Sequence, residues 1–158
     1  MNKVPHIPEG YHTVTPYLII KGAAQAIDYY KKVFGATVTV RMDRPDGQVA
    51  HAELKIGDSI IMLADENPQM AMPGHGSAEK IGGSPVSLYV YLPDVDRVVE
   101  KAAAEGGKVL RPVQDQFYGD RSGFLRDPFG HFWGIATHVE DVSPEEMKER
   151  MKKMAPAA

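Results

Sequence analysis

The chain has 158 residues, of which 43% are hydrophobic and 25% charged, as in an ordinary globular protein. Its net charge of −3 provides no basic surface for nucleic acid or for an anionic membrane. No apolar run approaches the roughly 20 residues that cross a bilayer, and the first ten residues lack the apolar core of a signal peptide. The absence of cysteine excludes disulfides, thiol catalysis and thiolate metal sites. We therefore expect a cytoplasmic protein without nucleic-acid or membrane partners.

The first half of the chain reads as an extended arm (residues 1–10), a strand, a helix and three more strands. The first strand is predicted over residues 11–20, where Pro16 indicates an edge position or a bulge. An apolar stripe at helical spacing predicts the helix, which ends at Gly35. The members of this stripe are Ala23, Ala26, Ile27, Tyr30 and Phe34. The other strands are predicted at 37–42, 49–56 and 59–64.

The same order of elements returns in the second half. A strand at 86–92 precedes a helix that stops at Gly106-Gly107, and a short strand at 108–113 leads to a hairpin with strands at 122–126 and 131–137. In the hairpin turn, Pro128 presets φ, Asp127 can cap the first position and Gly130 suits the last. The only tryptophan, Trp133, follows this turn and is predicted to lie in the core.

Two segments stand outside this pattern. Residues 67–85 are rich in Gly, Pro and Met and have no periodicity, which predicts a flexible linker that moves over a ligand site. Residues 143–158 are predicted to form a C-terminal helix and tail. Ser143 would be the N-cap of that helix, and Glu146 would complete a capping box.

The two halves align at a constant offset of 72 residues. Thr15 corresponds to Ser87, Ile27 to Val99, Gly35 to Gly107, and Met62 to Gly134. This repeat predicts an α+β fold of two βαβββ modules, at 11–66 and 86–140, within a single domain that spans residues 1–142. We expect their curved, mixed sheet to enclose a cleft for a small ligand.

Several segments carry a resemblance to a known family. AIDYYKKVFGA, HAELKIGDSIIMLADE and RDPFGHFWGIATH resemble the vicinal oxygen chelate superfamily, which includes glyoxalase I, bleomycin resistance proteins and extradiol dioxygenases. TPYLI, AHAEL, QDQFYGDRSG and DPFGH resemble its PhnB-like branch. The resemblance spans about residues 11–140. It implies the glyoxalase/bleomycin resistance/dihydroxybiphenyl dioxygenase-like fold and a homodimer.

Enzymes of that superfamily hold a divalent metal with ligands from the first and last strand of each module. The resemblance assigns these places to Thr15, Met62, Ser87 and Gly134. Neutral hydroxyls are weak ligands, a thioether suits hard ions poorly, and glycine has no side chain. We therefore expect no cofactor and no metal at these positions.

The six histidines leave two interpretations open. They are either scattered surface or hydrogen-bonded side chains, or part of a relocated site for a divalent metal. Such a site would be built from His51, His12 or Glu66. His51 is also a candidate general base, because histidine titrates near neutral pH.

Strand parity predicts an apolar and aromatic wall along the ligand site. Next to it, the polar segment 114–121 could bind an anionic or hydroxylated group through Arg121; the alternative is an ion pair of Arg121 with Asp120 or Asp115. The substrate-binding candidates are Tyr17, Met62, Ser87, Tyr89, Tyr118, Arg121 and Gly134.

Three functions are compatible with these patterns. The first is a metal-free protein that binds a small, partly aromatic or amphipathic molecule, similar to the bleomycin resistance members. The second is a lyase- or dioxygenase-type enzyme, with relocated metal ligands or with His51 and tyrosines transferring protons. The third is an interaction module with a vestigial cleft. Whether the protein is an enzyme stays open at this stage.

Overall fold

The computed structural model describes residues 4–154, with Met154 described by its backbone alone. The predicted arm (1–10) and tail (143–158) extend into residues 1–3 and 155–158, which lie outside this range. The chain divides into two units that meet between Pro85 and Val86. Each unit contains a four-stranded sheet and a long helix in the predicted order, together with a second helix that follows the sheet, so the α+β class is confirmed.

Unit 1 has the order strand, helix and three strands. The elements are β1 (Tyr17–Ile20), α1 (Ala23–Phe34), β2 (Thr37–Asp43), β3 (Val49–Ile56) and β4 (Ser59–Asp65). The sheet order is β1-β4-β3-β2, with β1 parallel to β4 and the other pairs antiparallel. The apolar side of α1 is buried, as are Ile20, Leu54 and Leu63 of the sheet. This burial supplies most of the driving force for forming the unit.

The first strand is shorter than predicted. β1 has four residues instead of ten, and the segment before it is irregular. Pro16 has no N–H to donate to a sheet ladder, although its carbonyl still accepts from the N–H of Met62 at 2.8 Å. Thr15 therefore lies outside the strand.

The segment 67–85 is more ordered than its composition predicts. It contains a 3-10 turn (Pro68–Met70) and a one-turn helix, α2 (Ala78–Ile81). Ser77 is buried and caps α2 by accepting from the N–H of Lys80. A single helical turn is too short to produce a readable periodicity, which explains why the sequence pattern missed it.

Unit 2 repeats the arrangement and adds the C-terminal helix. Its elements are β5 (Ser87–Tyr91), α3 (Val95–Ala104), β6 (Lys108–Asp115), β7 (Asp120–Arg126), β8 (Phe132–His138) and α4 (Pro144–Met154). The sheet order is β5-β8-β7-β6, with β5 parallel to β8.

Strand register confirms the repeat at an offset of 72. Tyr17 lies opposite Met62 in unit 1, and Tyr89 lies opposite Gly134 in unit 2. The residues after these strand cores are also equivalent. Asp65 accepts hydrogen bonds from the N–H groups that begin α1, and Thr137 accepts from the N–H of Val95 at the start of α3. Each sheet therefore caps its own helix.

The hairpin turn forms as predicted. The Asp127 carboxylate accepts from the N–H groups of Phe129 and His131 and from the indole N–H of Trp133, at 2.9–3.0 Å. Trp133 is 2% exposed, which confirms its place in the core.

The C-terminal helix is capped only in part as predicted. Ser143 Oγ accepts from the N–H of Glu146 at 3.2 Å. The Glu146 carboxylate, however, pairs with Arg150 rather than with the Ser143 backbone. Arg150 also makes two hydrogen bonds to Glu140, which fastens α4 to the segment that follows β8. No helix among residues 4–154 is long and apolar enough to cross a membrane.

Candidate functional site

A pocket of about 430 Å³ lies within unit 1. One wall comes from β1 and the end of β4, and the other from the segment that follows β4. Its apolar lining is Tyr17, Ile19, Ala64, Met70 and Met72, and its charged or titratable lining is Arg44, Asp65, Glu66, His75 and Lys80. Its volume falls within the range of small-molecule sites, which combine apolar walls with a few polar groups.

A chain of hydrogen bonds leads away from this pocket through Tyr17. The Tyr17 hydroxyl lies 3.0 Å from Nδ1 of His51, and Nε2 of His51 lies 3.1 Å from the Glu53 carboxylate. The Tyr11 hydroxyl donates to the other oxygen of Glu53. The side chains of His51 and Glu53 are only 20% and 13% exposed. Strand pairing sets this arrangement, because His51 and Glu53 are two residues apart on β3 and share a face.

The pKa shifts of Glu53 and Tyr17 indicate which groups donate in this series of hydrogen bonds. The hydrogen bond from Tyr11 holds the pKa of Glu53 below its usual value, so Glu53 is a carboxylate that can only accept. Nε2 of His51 then donates to this carboxylate, and Nδ1 of the same ring faces the Tyr17 hydroxyl. Burial raises the pKa of Tyr17, so its hydroxyl keeps its proton. The arrangement can move a proton between the pocket wall and His51.

In unit 2, the ring of Tyr89 covers Gly134. A Cβ atom at position 134 would lie 2.7 Å from Cε2 of Tyr89 and closer still to Cδ2. Burial and a hydrogen bond with Tyr118 raise the pKa of Tyr89 to about 12. The adjoining space of about 60 Å³ is lined by Tyr118, Arg111 and Phe124, among others. It can hold a few water molecules at most.

A second histidine network lies on the same sheet, and it was not predicted from the sequence. The buried Asp120 carboxylate accepts from the Tyr91 hydroxyl and contacts Nδ1 of His138, both at 2.8 Å. Nε2 of His138 lies 3.0 Å from Asp141. Hydrogen bonds with these two carboxylates raise the pKa of His138.

Arg121 does not line the space beside Tyr89 and Tyr118. It makes two hydrogen bonds of 2.7 Å to Asp96 on α3 and one of 3.0 Å to Asp115. Successive side chains of β7 point to opposite faces of the sheet. Arg121 therefore lies on the face opposite Asp120 and Ser122 and points toward α3. The ion pair with Asp115, one of the two predicted alternatives, is the contact that forms. Ser87 is exposed at the start of β5, opposite Phe132.

The donors at the family's four metal positions do not suit a divalent ion. Tyr89 fills the space beside Gly134, Met62 offers a thioether, and the Thr15 hydroxyl hydrogen bonds to the carbonyl of His12. Residues 4–154 contain no group of three His, Cys, Asp or Glu side chains placed to share a metal ion.

The candidates for a relocated metal site have separate partners. His12 lies 3.7 Å from Asp58, His51 contacts Tyr17 and Glu53, and Glu66 accepts from Ser77. The structure therefore does not bring His12, His51 and Glu66 together.

Sequence reasoning missed most of the residues that give the unit 1 pocket its polarity. Glu53, which lies outside the pocket lining, had a readable signal, since His51-Ala52-Glu53 on an alternating strand puts both polar side chains on one face. Arg44 and Lys80 had none, because they come from a turn and from a one-turn helix whose positions depend on long-range packing.

The sequence profile of the Glyoxalase/Bleomycin resistance protein/Dioxygenase superfamily matches residues 10–135. The chain is 37% identical to an uncharacterised Mycobacterium tuberculosis protein, Rv0887c, over 138 residues, which is 87% of this chain and 81% of that protein. It also matches the crystal structure of TioX from Micromonospora sp. ML1 (TM-score 0.64, 25% identity, 81% of this chain and 99% of TioX). A PhnB protein from Bacillus cereus has the same fold (TM-score 0.61, 22% identity, 80% of this chain and 99% of that chain).

This chain belongs to the Glyoxalase/Bleomycin resistance protein/Dioxygenase superfamily. This agrees with the resemblance to that superfamily seen in the sequence.

Proposed function

We propose that this protein binds a small, partly apolar or amphipathic molecule in the unit 1 pocket, without a metal. The observation that carries the proposal is the pocket itself, whose volume of about 430 Å³ fits a small organic molecule. Tyr17, Met70 and Met72 supply aromatic and adaptable apolar surface. Family membership is consistent with a binding role, because the superfamily includes bleomycin resistance proteins.

The test uses a neutral fluorescent probe, N-phenyl-1-naphthylamine, together with a pocket-filling variant. Ala50 is exposed and lines the pocket, so Ala50→Trp fills the space with little disturbance of the core. Ala103 is equally exposed on α3 in unit 2, so Ala103→Trp is the matched control. We expect saturable binding to the natural protein and to Ala103→Trp, and loss of binding in Ala50→Trp. Absence of saturable binding by this probe, and of any thermal shift across a small-molecule panel, would favour the interaction module instead.

A second candidate function is metal-free proton transfer on a bound molecule. The hydrogen bonds from Tyr17 through His51 to Glu53 favour it, since they link a hydroxyl on the pocket wall to a histidine that a carboxylate orients. In this role Tyr17 exchanges a proton with the ligand, His51 accepts or returns that proton, and Glu53 orients His51.

Deuterium exchange tests this candidate. The protein is incubated with a panel of small carbonyl compounds in D₂O, and incorporation of deuterium next to the carbonyl is followed by NMR. Exchange above background that is lost in Tyr17→Phe and His51→Gln, but kept in Tyr91→Phe in unit 2, would support proton transfer. Background exchange in every sample would leave binding alone as the function.

A further inference from the structure

We propose that the unit 1 pocket selects molecules that carry an anionic group, such as a carboxylate, phosphate or sulfonate, beside an apolar body. This inference rests on the proposed binding function and specifies its ligand class. The pocket lining contains two carboxylates and two permanent cations, so its formal charge does not decide the question. What decides it is which of these groups still have hydrogen-bonding capacity to offer a ligand.

Asp65 has its carboxylate occupied by backbone donors. One oxygen accepts from the N–H groups of Gly22 and Ala23 at 2.9 Å, and the other accepts from Val49 at 2.8 Å. The first two donors begin α1, so the positive end of the helix dipole also offsets the charge of Asp65. Asp65 is therefore a structural cap and a poor partner for a ligand cation.

Glu66 is occupied in a similar way at one of its oxygens. Oε1 accepts from the N–H of Ser77 at 3.0 Å and from its hydroxyl at 2.8 Å. These hydrogen bonds hold the pKa of Glu66 below its usual value, and Lys80 lowers it further. Glu66 thus holds Ser77, the N-cap of α2, in place. Lys80 is a residue of this short helix.

The cations, by contrast, keep free donors. Among residues 4–154 the Lys80 ammonium makes no ion pair, and its interaction with Glu66 is a longer-range electrostatic one. Arg44 donates through Nη2 to Gln48 and to the carbonyl of Glu66, and its Nε lies 3.5 Å from the exposed Asp46. These contacts hold the guanidinium in one orientation and leave Nη1 for a ligand.

An anionic oxygen is the natural complement of such a donor set. Charge-assisted hydrogen bonds from Arg and Lys are roughly twice as strong as neutral ones. The rest of the ligand would lie against Tyr17, Ile19 and the two methionines. A molecule with both features accepts hydrogen bonds from Lys80 and Arg44 and buries its apolar body. With a neutral apolar molecule, these donors remain hydrogen-bonded to water.

Two probes with a common anilinonaphthalene body test the inference. One is the neutral N-phenyl-1-naphthylamine, and the other is 8-anilinonaphthalene-1-sulfonate, which adds a single anionic group. We expect Lys80→Gln to raise the Kd of the sulfonate probe about tenfold, which is the effect of losing about 1.4 kcal/mol. The Kd of the neutral probe should stay unchanged. Lys80→Arg should retain sulfonate binding, and Lys101→Gln, an exposed lysine on α3, is the matched control.

Each outcome of this test has one meaning. Added NaCl should weaken binding of the sulfonate probe and leave the neutral probe unaffected. Sulfonate binding that survives Ala50→Trp, or that ignores Lys80→Gln, overturns the inference while the neutral probe still tests the proposed function. Tighter binding of a cationic naphthylammonium probe would also overturn it. Failure of every probe to bind saturably would refute the proposed function itself.

Discussion

At the scale of single residues, the close contact between Tyr89 and Gly134 determines which side chains position 134 can accept. Any side chain at position 134 must displace the Tyr89 ring. We expect Gly134→Ala to lower the free energy of unfolding by about 1–3 kcal/mol, the usual cost of overpacking. Denaturant unfolding of the purified variant measures this change.

A double-mutant cycle identifies the cause of that destabilisation. Tyr89→Ala removes the ring, so Gly134→Ala in the Tyr89→Ala background should cost much less than in the natural protein. Equal costs in the two backgrounds would mean that the backbone at 134, and not the ring, resists the methyl group.

His138 gives a prediction for the pH dependence of stability. Its pKa is raised by Asp120 on β7 and by Asp141 after β8, and Tyr91 on β5 also contacts Asp120. A pKa raised on folding contributes stability that is fully present below the unfolded value, about 6.5, and is lost as the pH rises through the folded value. We expect His138→Gln to destabilise the protein at mildly acidic pH and to have a smaller effect at alkaline pH.

Chemical denaturation at several pH values measures this difference. Asp141→Asn should reduce the same pH dependence without removing the histidine. A destabilisation by His138→Gln that is constant across the pH range would show that packing, and not charge, is what His138 contributes.

The facing of side chains on strands was predictable from the sequence, whereas the partner of Arg121 was not. Parity on alternating strands predicted that Tyr17 and Met62 face the same side, and the register confirms it. On β7, Phe124 lies opposite Gly134 and shares its face of the sheet. Arg121 is three residues away, so the same alternation places it on the other face, toward the helix. The partner of Arg121, however, is Asp96, which is 25 residues away in sequence. No local pattern predicts such a contact.

At the scale of elements, local turns were predictable and long-range caps were not. Asp127 lies in the turn that it stabilises, so its role could be read from the Asp-Pro-Phe-Gly sequence. Asp65 caps a helix that begins 42 residues earlier, and only the folded sheet brings the two together. The four-residue helix α2 was missed for a related reason, because Glu66 and Ser77 define it through a contact across the intervening segment.

The segment between β4 and β5 gives a prediction about proteolysis. Residues 70–76 run from the last residue of the 3-10 turn to the residue before Ser77, the N-cap of α2, and Met70, Met72 and His75 line the pocket. We expect a non-specific protease such as proteinase K to cut first within 70–76 in the free protein, because exposed, weakly paired backbone is cleaved first. A bound probe should slow this cleavage, since the segment then contacts the ligand.

Mass spectrometry of the first fragments locates the cut. Ala50→Trp provides the control, because the probe should not protect this variant. A first cut within the strands of either unit would contradict the assignment of 67–85 as the flexible part of the chain.

At the scale of the whole molecule, the family resemblance predicts self-association. We expect a homodimer, with twice the 17.4 kDa mass of one chain. Light scattering at micromolar concentration measures the mass directly. A particle of 17.4 kDa across the concentration range would show that the chain functions as a monomer.

The resemblance to metal-dependent relatives gives a prediction for the whole chain, because it assigns two metal positions to each unit. Thr15 and Ser87 have neutral hydroxyls, Met62 has a thioether and Gly134 has no side chain, and such groups hold divalent ions weakly. We expect EDTA to leave the melting temperature unchanged and added Zn²⁺ or Ni²⁺ not to raise it.

A metal that bound the native state at 100 times its Kd would stabilise it by about 2.7 kcal/mol. For a chain of this size that equals a shift of about 5–10 °C, which a thermal melt resolves easily. Such a shift, with one metal per chain that is lost in Thr15→Ala and Ser87→Ala, would show that hydroxyl ligands suffice and would favour the metal-dependent enzyme over the metal-free binder.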